Sequence, residues 1–167
     1  MAARPPVLYL SHDDISAGKD ILKKHSMSYD DKYIAIAPQA IAPSRRWGAD
    51  NHGLLAKRLA DHFDCRRVLI GTSGDFEAGE LTRSYDERNI INLCGETSLL
   101  GAASILSFAK IFIGNDSGLA HLAGAVNCSI VVLSGADDPV ETSPRREKKI
   151  VVIKDDLDCI SCVRNEC

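Results

Sequence analysis

The chain has 167 residues, 45% of them hydrophobic, and a formal net charge of −3. That supplies apolar material for one ordinary core and gives no bulk attraction to nucleic acid or to an anionic membrane surface. No stretch reaches the roughly eighteen apolar residues of a membrane span, and "MAARPPVLYL" lacks the charged and apolar regions of a secretory signal, so one cytoplasmic domain is expected.

The elements follow in alternation. "SHDDISAGKDILKKH" opens with Ser11 three residues ahead of Asp14, an acidic capping box, and reads as a helix. "YIAIAP", from Tyr33 to Pro38, is a short apolar run closed by proline, as a buried parallel strand is. "NHGLLAKRLADHF" has helical spacing and "RRVLIG" follows as a strand. Next come "DFEAGELTRSY" (helix), "NIINLCG" (strand), "SLLGAASILSFAK" (helix) and "IFIGN" (strand). "GLAHLAGAV" is a helix of small residues, "SIVVLSG" a strand, and "KKIVVIK" a last strand after a long loop. Strands alternating with helices of this length predict an α/β domain built on a doubly wound parallel sheet, because parallel neighbours require a crossover that covers the sheet. Residues 1–32 form a lead-in and first helix, 33–154 the α/β core, and 155–167 a cysteine-containing tail.

In such sheets ligands bind beyond the carboxyl ends of the strands, where helix starts present free N–H groups. The loops opening there run from Pro38 to Trp47, Gly71 to Glu77, Gly95 to Ser98, Asn115 to His121 and Ser134 to Pro144. In "NDSGLAH", Gly118 allows close backbone approach and Ser117 can cap the helix or meet an anion. Asp116 can orient the turn or accept sugar hydroxyls, and His121 can return to the same mouth. An ordinary N-cap with a surface histidine fits the same residues. Arg45 and Arg46 suit a diphosphate, or form a solvated basic pair beside Trp47. Asp75 and Glu77 suit ribose hydroxyls, or stand as first-turn acids of a helix. Dinucleotide, P-loop, nucleophile-elbow and zinc-protease motifs are absent from the sequence.

The succession "YIAIAPQA", "SRRWG", "GTSGDFEAG", "NLCGETSLLGAASILSFAKIFIGNDSGLAHLAGAVNCSIVVLSGADDP" and "CISCVRNEC" resembles the C-terminal half of the lipopolysaccharide heptosyltransferases, the family-9 glycosyltransferases. The resemblance runs from about Pro6 to the end, and Asn92 to Pro139 is its specific part. It implies the Rossmann-like donor lobe of a two-lobed GT-B transferase that moves heptose from ADP-heptose to the lipopolysaccharide inner core, inverting, metal-independent and without cofactor. Asp116, Ser117, Gly118 and His121 match the family's Asp-[Ser/Thr]-Gly-x-x-His element at the donor diphosphate and sugar. Arg45 stands where the family has lysine before Arg-Trp, as a cation for the phosphates or departing ADP. Asp75, with Glu77, matches an acidic position near the ribose, and Thr97 falls where the family contacts the base.

The resemblance also implies that the catalytic base belongs to an N-terminal lobe this chain lacks. The chain alone is therefore expected to bind donor without transferring sugar, and to meet the lipopolysaccharide acceptor, and any membrane, only through that lobe. A non-catalytic nucleotide- or nucleotide-sugar-binding module is the alternative. Pro38-Gln39 replaces the family's Pro-Gly, and Arg45-Arg46-Trp47-Gly48 its Lys-Arg-Trp-Pro, so Gln39 puts a side chain where close phosphate approach favours glycine. Cys65, Cys94 and Cys128 stand singly in apolar segments, as buried reduced thiols do. Cys159, Cys162 and Cys167 follow a family-like spacing but supply three of the four ligands that structural zinc requires. A reduced tail or a disulfide fits them as well, and no metal is expected.

Overall fold

In the computed structural model, which describes residues 5–154, 156–159 and 162–166, the strand Tyr33–Ala37 (β1) is buried along its whole length. A continuous apolar run behaves this way when both faces of a strand are covered. β1 pairs in parallel with Arg66–Leu69 (β2) on one side and Ile111–Asn115 (β4) on the other. Ile90–Asn92 (β3) adds beyond β2, while Ile130–Ser134 (β5) and Lys149–Ile153 (β6) add beyond β4. Among the described residues the sheet thus has the order β3-β2-β1-β4-β5-β6. The chain winds outward from β1 to β3, crosses back, and winds outward the other way from β4. The reversal falls between β1 and β4.

Side-chain alternation along the strands assigns the two layers. Tyr33, Ala35, Ala37, Val68, Phe112, Ile130 and Val132 share a cluster with the helices His12–Lys24 (α1), Leu99–Phe108 (α4) and Gly118–Ala125 (α5), through Leu22, Ile105, Leu106, Ala120 and Ala123. Ile34, Ile36, Leu69, Ile90 and Ile113 point the other way, onto Leu55, Ala56 and Leu59 of Ala49–His62 (α2). Phe76–Arg83 (α3) lies beside α2. The Tyr33 hydroxyl donates to the Ile105 carbonyl at 2.6 Å, so the polar tip of a fully buried ring is satisfied. Among the described residues, the β5–β6 flank is open on the α2 side. Val131 pairs with Ile150 and Leu133 with Val152, and Ile150 and Val152 are 62% and 50% exposed.

The sequence-predicted helices and strands all form. The capping box of α1 does too: the Asp14 amide donates to Ser11 Oγ at 3.2 Å and the Ser11 amide to the Asp14 carboxylate at 2.9 Å. The loop before β6 is not wholly irregular. Asp138 accepts from the Val140 amide at 2.9 Å and Pro139 supplies a preset φ, which starts the single helical turn Pro139–Thr142 (α6). Cys94 and Cys128 are buried free thiols, pushed by burial up to about 12 and about 11, whereas Cys65 is only half-buried. Cys159 is exposed and Cys162 partly buried, and Cys167 lies outside the described residues. Among the described residues, no group of three or more His, Cys, Asp or Glu converges to hold a metal, and no helix is long and apolar enough to cross a membrane.

Candidate functional site at the switch point

Where loops leave β1 and β4 in opposite directions, a crevice of about 480 Å³ opens at the carboxyl ends of the strands. Its walls are Gln39 to Ile41 and Arg46 after β1, Gly71, Thr72 and Asp75 after β2, Thr97 to Leu99 and Ala102 at the start of α4, and Ser117 to Leu119 at the start of α5. A doubly wound sheet builds its ligand site at this reversal.

The α5 corner carries the chemistry. Asp116 is 4% exposed; its amide donates to the Leu133 carbonyl at 3.1 Å and its carboxylate accepts the Thr142 hydroxyl. Ser117 occupies the N-cap position, yet its hydroxyl makes no capping bond and is buried without a partner. Neither residue is therefore an ordinary cap. Asn115 is fully buried; its Oδ1 accepts the Trp47 amide at 2.9 Å and its Nδ2 has no partner. Gln39 Oε1 is likewise buried and unpartnered. Each such group costs about 1–3 kcal/mol of desolvation unless water or a ligand completes it, and three of them lie on the segments that meet at the switch point. At Gly118 a β-carbon would meet nothing within 4 Å, so the fold itself does not demand glycine there.

The loop after β1 uses its two arginines differently. Arg46 lines the crevice but folds its guanidinium onto its own loop, donating to the carbonyls of Ala40 at 2.7 Å and Ile41 at 3.0 Å. Arg45, in the 3₁₀ turn Pro43–Arg45, forms an ion pair with the buried carboxylate of Asp137 in the loop after β5. Gly48 enters α2 at φ +97°, a conformation that favours glycine. Its carbonyl lies 2.8 Å from Nδ1 of the fully buried His52, so Nδ1 carries the hydrogen. Burial holds that imidazole below its ordinary pKa and neutral. The Trp47 ring meets it edge-on at 5.1 Å.

Asp75 lines the crevice, but one carboxylate oxygen is engaged by the amide and hydroxyl of Thr72, both at 2.7 Å, closing the 3₁₀ turn Ser73–Asp75. Thr97, Ser117 and Gly118 also face the crevice. Glu77 and His121 are exposed, and they, Arg45 and Asp116 stand outside its walls. Asn115, Asp137 and Thr142, which the sequence did not single out, support the site from behind. A polar residue ending an apolar strand, as Asn115 does, is the signal that would have found it.

A doubly wound sheet with unpartnered hydrogen-bonding atoms at its switch point defines a Rossmann-like ligand-binding domain. A sequence profile described as glycosyltransferase family 9 (heptosyltransferase) matches residues 2–167, and the chain belongs to that family. Lipopolysaccharide heptosyltransferase 2 of Escherichia coli K12 is 35% identical over 132 residues, covering 76% of this chain and 38% of that protein. The solved ADP-heptose lipopolysaccharide heptosyltransferase II of E. coli superposes with a TM-score of 0.78 at 32% identity, covering 90% of this chain and 47% of the other. A family-9 glycosyltransferase structure from Veillonella parvula gives 0.82 at 21% identity over 90% of this chain and 44% of that one, a likeness of fold. The chain thus spans less than half the length of these relatives.

Proposed function

We propose that this chain is the donor-binding half of a metal-independent, inverting heptosyltransferase, taking heptose from ADP-heptose for the lipopolysaccharide inner core. The observation that carries the reading is the set of buried, unpartnered atoms, Gln39 Oε1, Asn115 Nδ2 and Ser117 Oγ, beside open space at Gly118. In α5 the first intrahelical donors are Ala120 and His121, both to the Ser117 carbonyl, which leaves the amides of Gly118 and Leu119 free for a diphosphate. Thr97 and Asp75 flank the space available to the nucleoside. The half-enzyme reading is supported by family membership and by the likeness to the E. coli ADP-heptose lipopolysaccharide heptosyltransferase II, of which the chain spans 47%.

In the reaction, the bond between the anomeric carbon and the β-phosphate oxygen breaks and its electron pair leaves with ADP. The acceptor hydroxyl oxygen forms the new bond from the opposite face, and its proton goes to a base. Arg45, whose Nε pairs with Asp137, is proposed to meet a phosphate oxygen of the departing diphosphate through its remaining guanidinium nitrogens while Asp137 holds it in place. The Asp116 carboxylate accepts the Thr142 hydroxyl and one oxygen of Asp75 accepts the Thr72 hydroxyl, and these carboxylates serve the donor side. In this proposal the base and the acceptor site belong to a second lobe, facing the cytoplasm.

Calorimetric titration with ADP, ADP-heptose, UDP and NAD tests the reading. ADP-heptose is expected to bind most tightly, and Gly118→Ala to lower that affinity about ten-fold while leaving the melting temperature unchanged, since the added methyl enters ligand space alone. Silence toward all four ligands from folded protein overturns the donor reading. Transfer by the isolated chain at the rate of a full-length relative overturns the half-enzyme part.

A further inference from the structure

The tail beyond β6 returns to the site. The Val163 amide donates to the Ala136 carbonyl at 2.9 Å, beside the Asp137 that holds Arg45. Two residues on, the tail reaches the turn that carries Arg45: the Ser44 amide donates to the Asn165 carbonyl at 3.0 Å and Ser44 Oγ to the Arg164 carbonyl at 2.6 Å. The turn is closed in from the other side as well. A β-carbon on Gly135 would lie 2.7 Å from the Ser44 carbonyl oxygen and 3.4 Å from Arg45 Cα, so the two loops touch backbone to backbone.

Val163 adopts φ +51°, which a β-branched residue rarely does, and its side chain is 71% exposed. Side-chain burial therefore does not hold it there. What that backbone gains is the bond to Ala136 and the placement of the next two carbonyls over Ser44. A strained backbone conformation persists when its surroundings over-determine it.

We propose that the Val163–Asn165 backbone is a strap that positions Arg45, with Ser44 as the positioning residue on the turn. The inference rests on the crevice being the nucleotide-sugar site. The strap fixes the turn to the Ala136–Asp137 loop, so that the guanidinium of Arg45 and its carboxylate partner keep one geometry before ligand arrives. Preorganisation of this kind raises affinity by removing an ordering cost from binding. Because coupling is reciprocal, ADP held by Arg45 steadies the strap in turn. Cys162, directly ahead of Val163 and partly buried, reports on that steadiness.

The test uses the whole chain and ADP as the probe. Ser44→Ala removes the hydroxyl bond and is expected to weaken ADP binding about five-fold, whereas Ser44→Thr keeps the hydroxyl and binds within about two-fold of the parent. Val163→Pro has no amide hydrogen and cannot reach φ +51°, and is expected to weaken binding at least as much; Val163→Gly keeps both and restores it. Peptide-resolved maleimide labelling supplies a readout that general stability does not move: ADP slows reaction at Cys162 in the parent and has no effect in Arg45→Ala. Should Val163→Pro fail to fold, Ser44→Ala decides alone. If the parent binds ADP and Ser44→Ala binds equally well, or if the ADP effect on Cys162 survives in Arg45→Ala, the strap is overturned while the crevice reading stands. A folded parent that does not bind ADP overturns both.

Discussion

Two grooves open at opposite ends of the sheet, and the larger one is not where the chemistry collects. At the amino ends of β1, β2 and β3 a groove of about 710 Å³ is lined by Asp30, Asp31, Lys32, Asp64, Arg66 and Arg67. Its arginines are largely spent. Arg67, 2% exposed, pairs with Asp86 and donates to the Cys65 carbonyl at 2.7 Å, leaving Nε alone of its nitrogens without a partner. Arg66 donates to the carbonyls of His25 at 3.3 Å and Ser26 at 3.1 Å. The smaller crevice at the carboxyl ends leaves polar atoms of Gln39, Asn115 and Ser117 unpaired on neighbouring segments. Volume measures how the helices splay, whereas unspent hydrogen-bonding capacity at the end where the winding reverses marks a place built to be completed.

This contrast makes distinct demands on the two ends. The largest effect is expected at the structural end: Asp86→Ala strands a buried guanidinium and should cost about 3–5 kcal/mol in urea unfolding, with ADP affinity per folded molecule unchanged. An equal loss of ADP affinity would erase the distinction between the grooves. At the ligand end, Gly135→Ala forces the Ser44 backbone away and should cost about 1–3 kcal/mol of stability while also weakening ADP, a double effect that Asp86→Ala lacks. Asp116→Ala removes the carboxylate that takes the Thr142 hydroxyl, and about a ten-fold loss of ADP affinity, near 1.4 kcal/mol, is expected by calorimetry.

The smallest effect is in pH. His52, its pKa lowered by burial, binds fewer protons folded than unfolded at any pH between its folded pKa and 6.5. It therefore contributes stability that is present above pH 6.5 and lost as the pH falls through that window. The drop in urea midpoint between pH 7 and pH 5 should be smaller in His52→Gln than in the parent.

The layering was legible because it depends on local periodicity. "YIAIA" and "RRVLIG" announce covered strands, and Ser11 with Asp14 announces the start of α1 without reference to anything distant. The corners were legible as places but not as contacts. Adjacent arginines look alike in sequence, and only the approach of Asp137 decides that Arg45 is the ion-paired one while Arg46 braces its own loop. His121 sits three residues past Gly118, which suggests a shared face. The rise of about 4.5 Å over three helical residues nevertheless carries it away from a mouth formed by residues 117 to 119. The hold of the tail on Ser44 spans 120 residues, a separation at which no local pattern carries information. Unpartnered atoms are the least legible feature of all, since they are defined by what the rest of the fold fails to supply.

The open flank of β6 has a consequence for the protein in bulk. Among the described residues its outer backbone edge pairs with no strand, and the half-exposed Ile150 and Val152 offer an incoming strand an apolar bed. Lys148 and Lys149 stand together at one end of that edge, whereas Lys154 at the other end pairs with Asp156 at 3.3 Å. Resistance to pairing of two such edges thus rests chiefly on the ammonium groups of Lys148 and Lys149 and on the salt that screens them. At an ionic strength near 1 M, where the screening length shrinks to about 3 Å, light scattering should register association that dilute buffer hides.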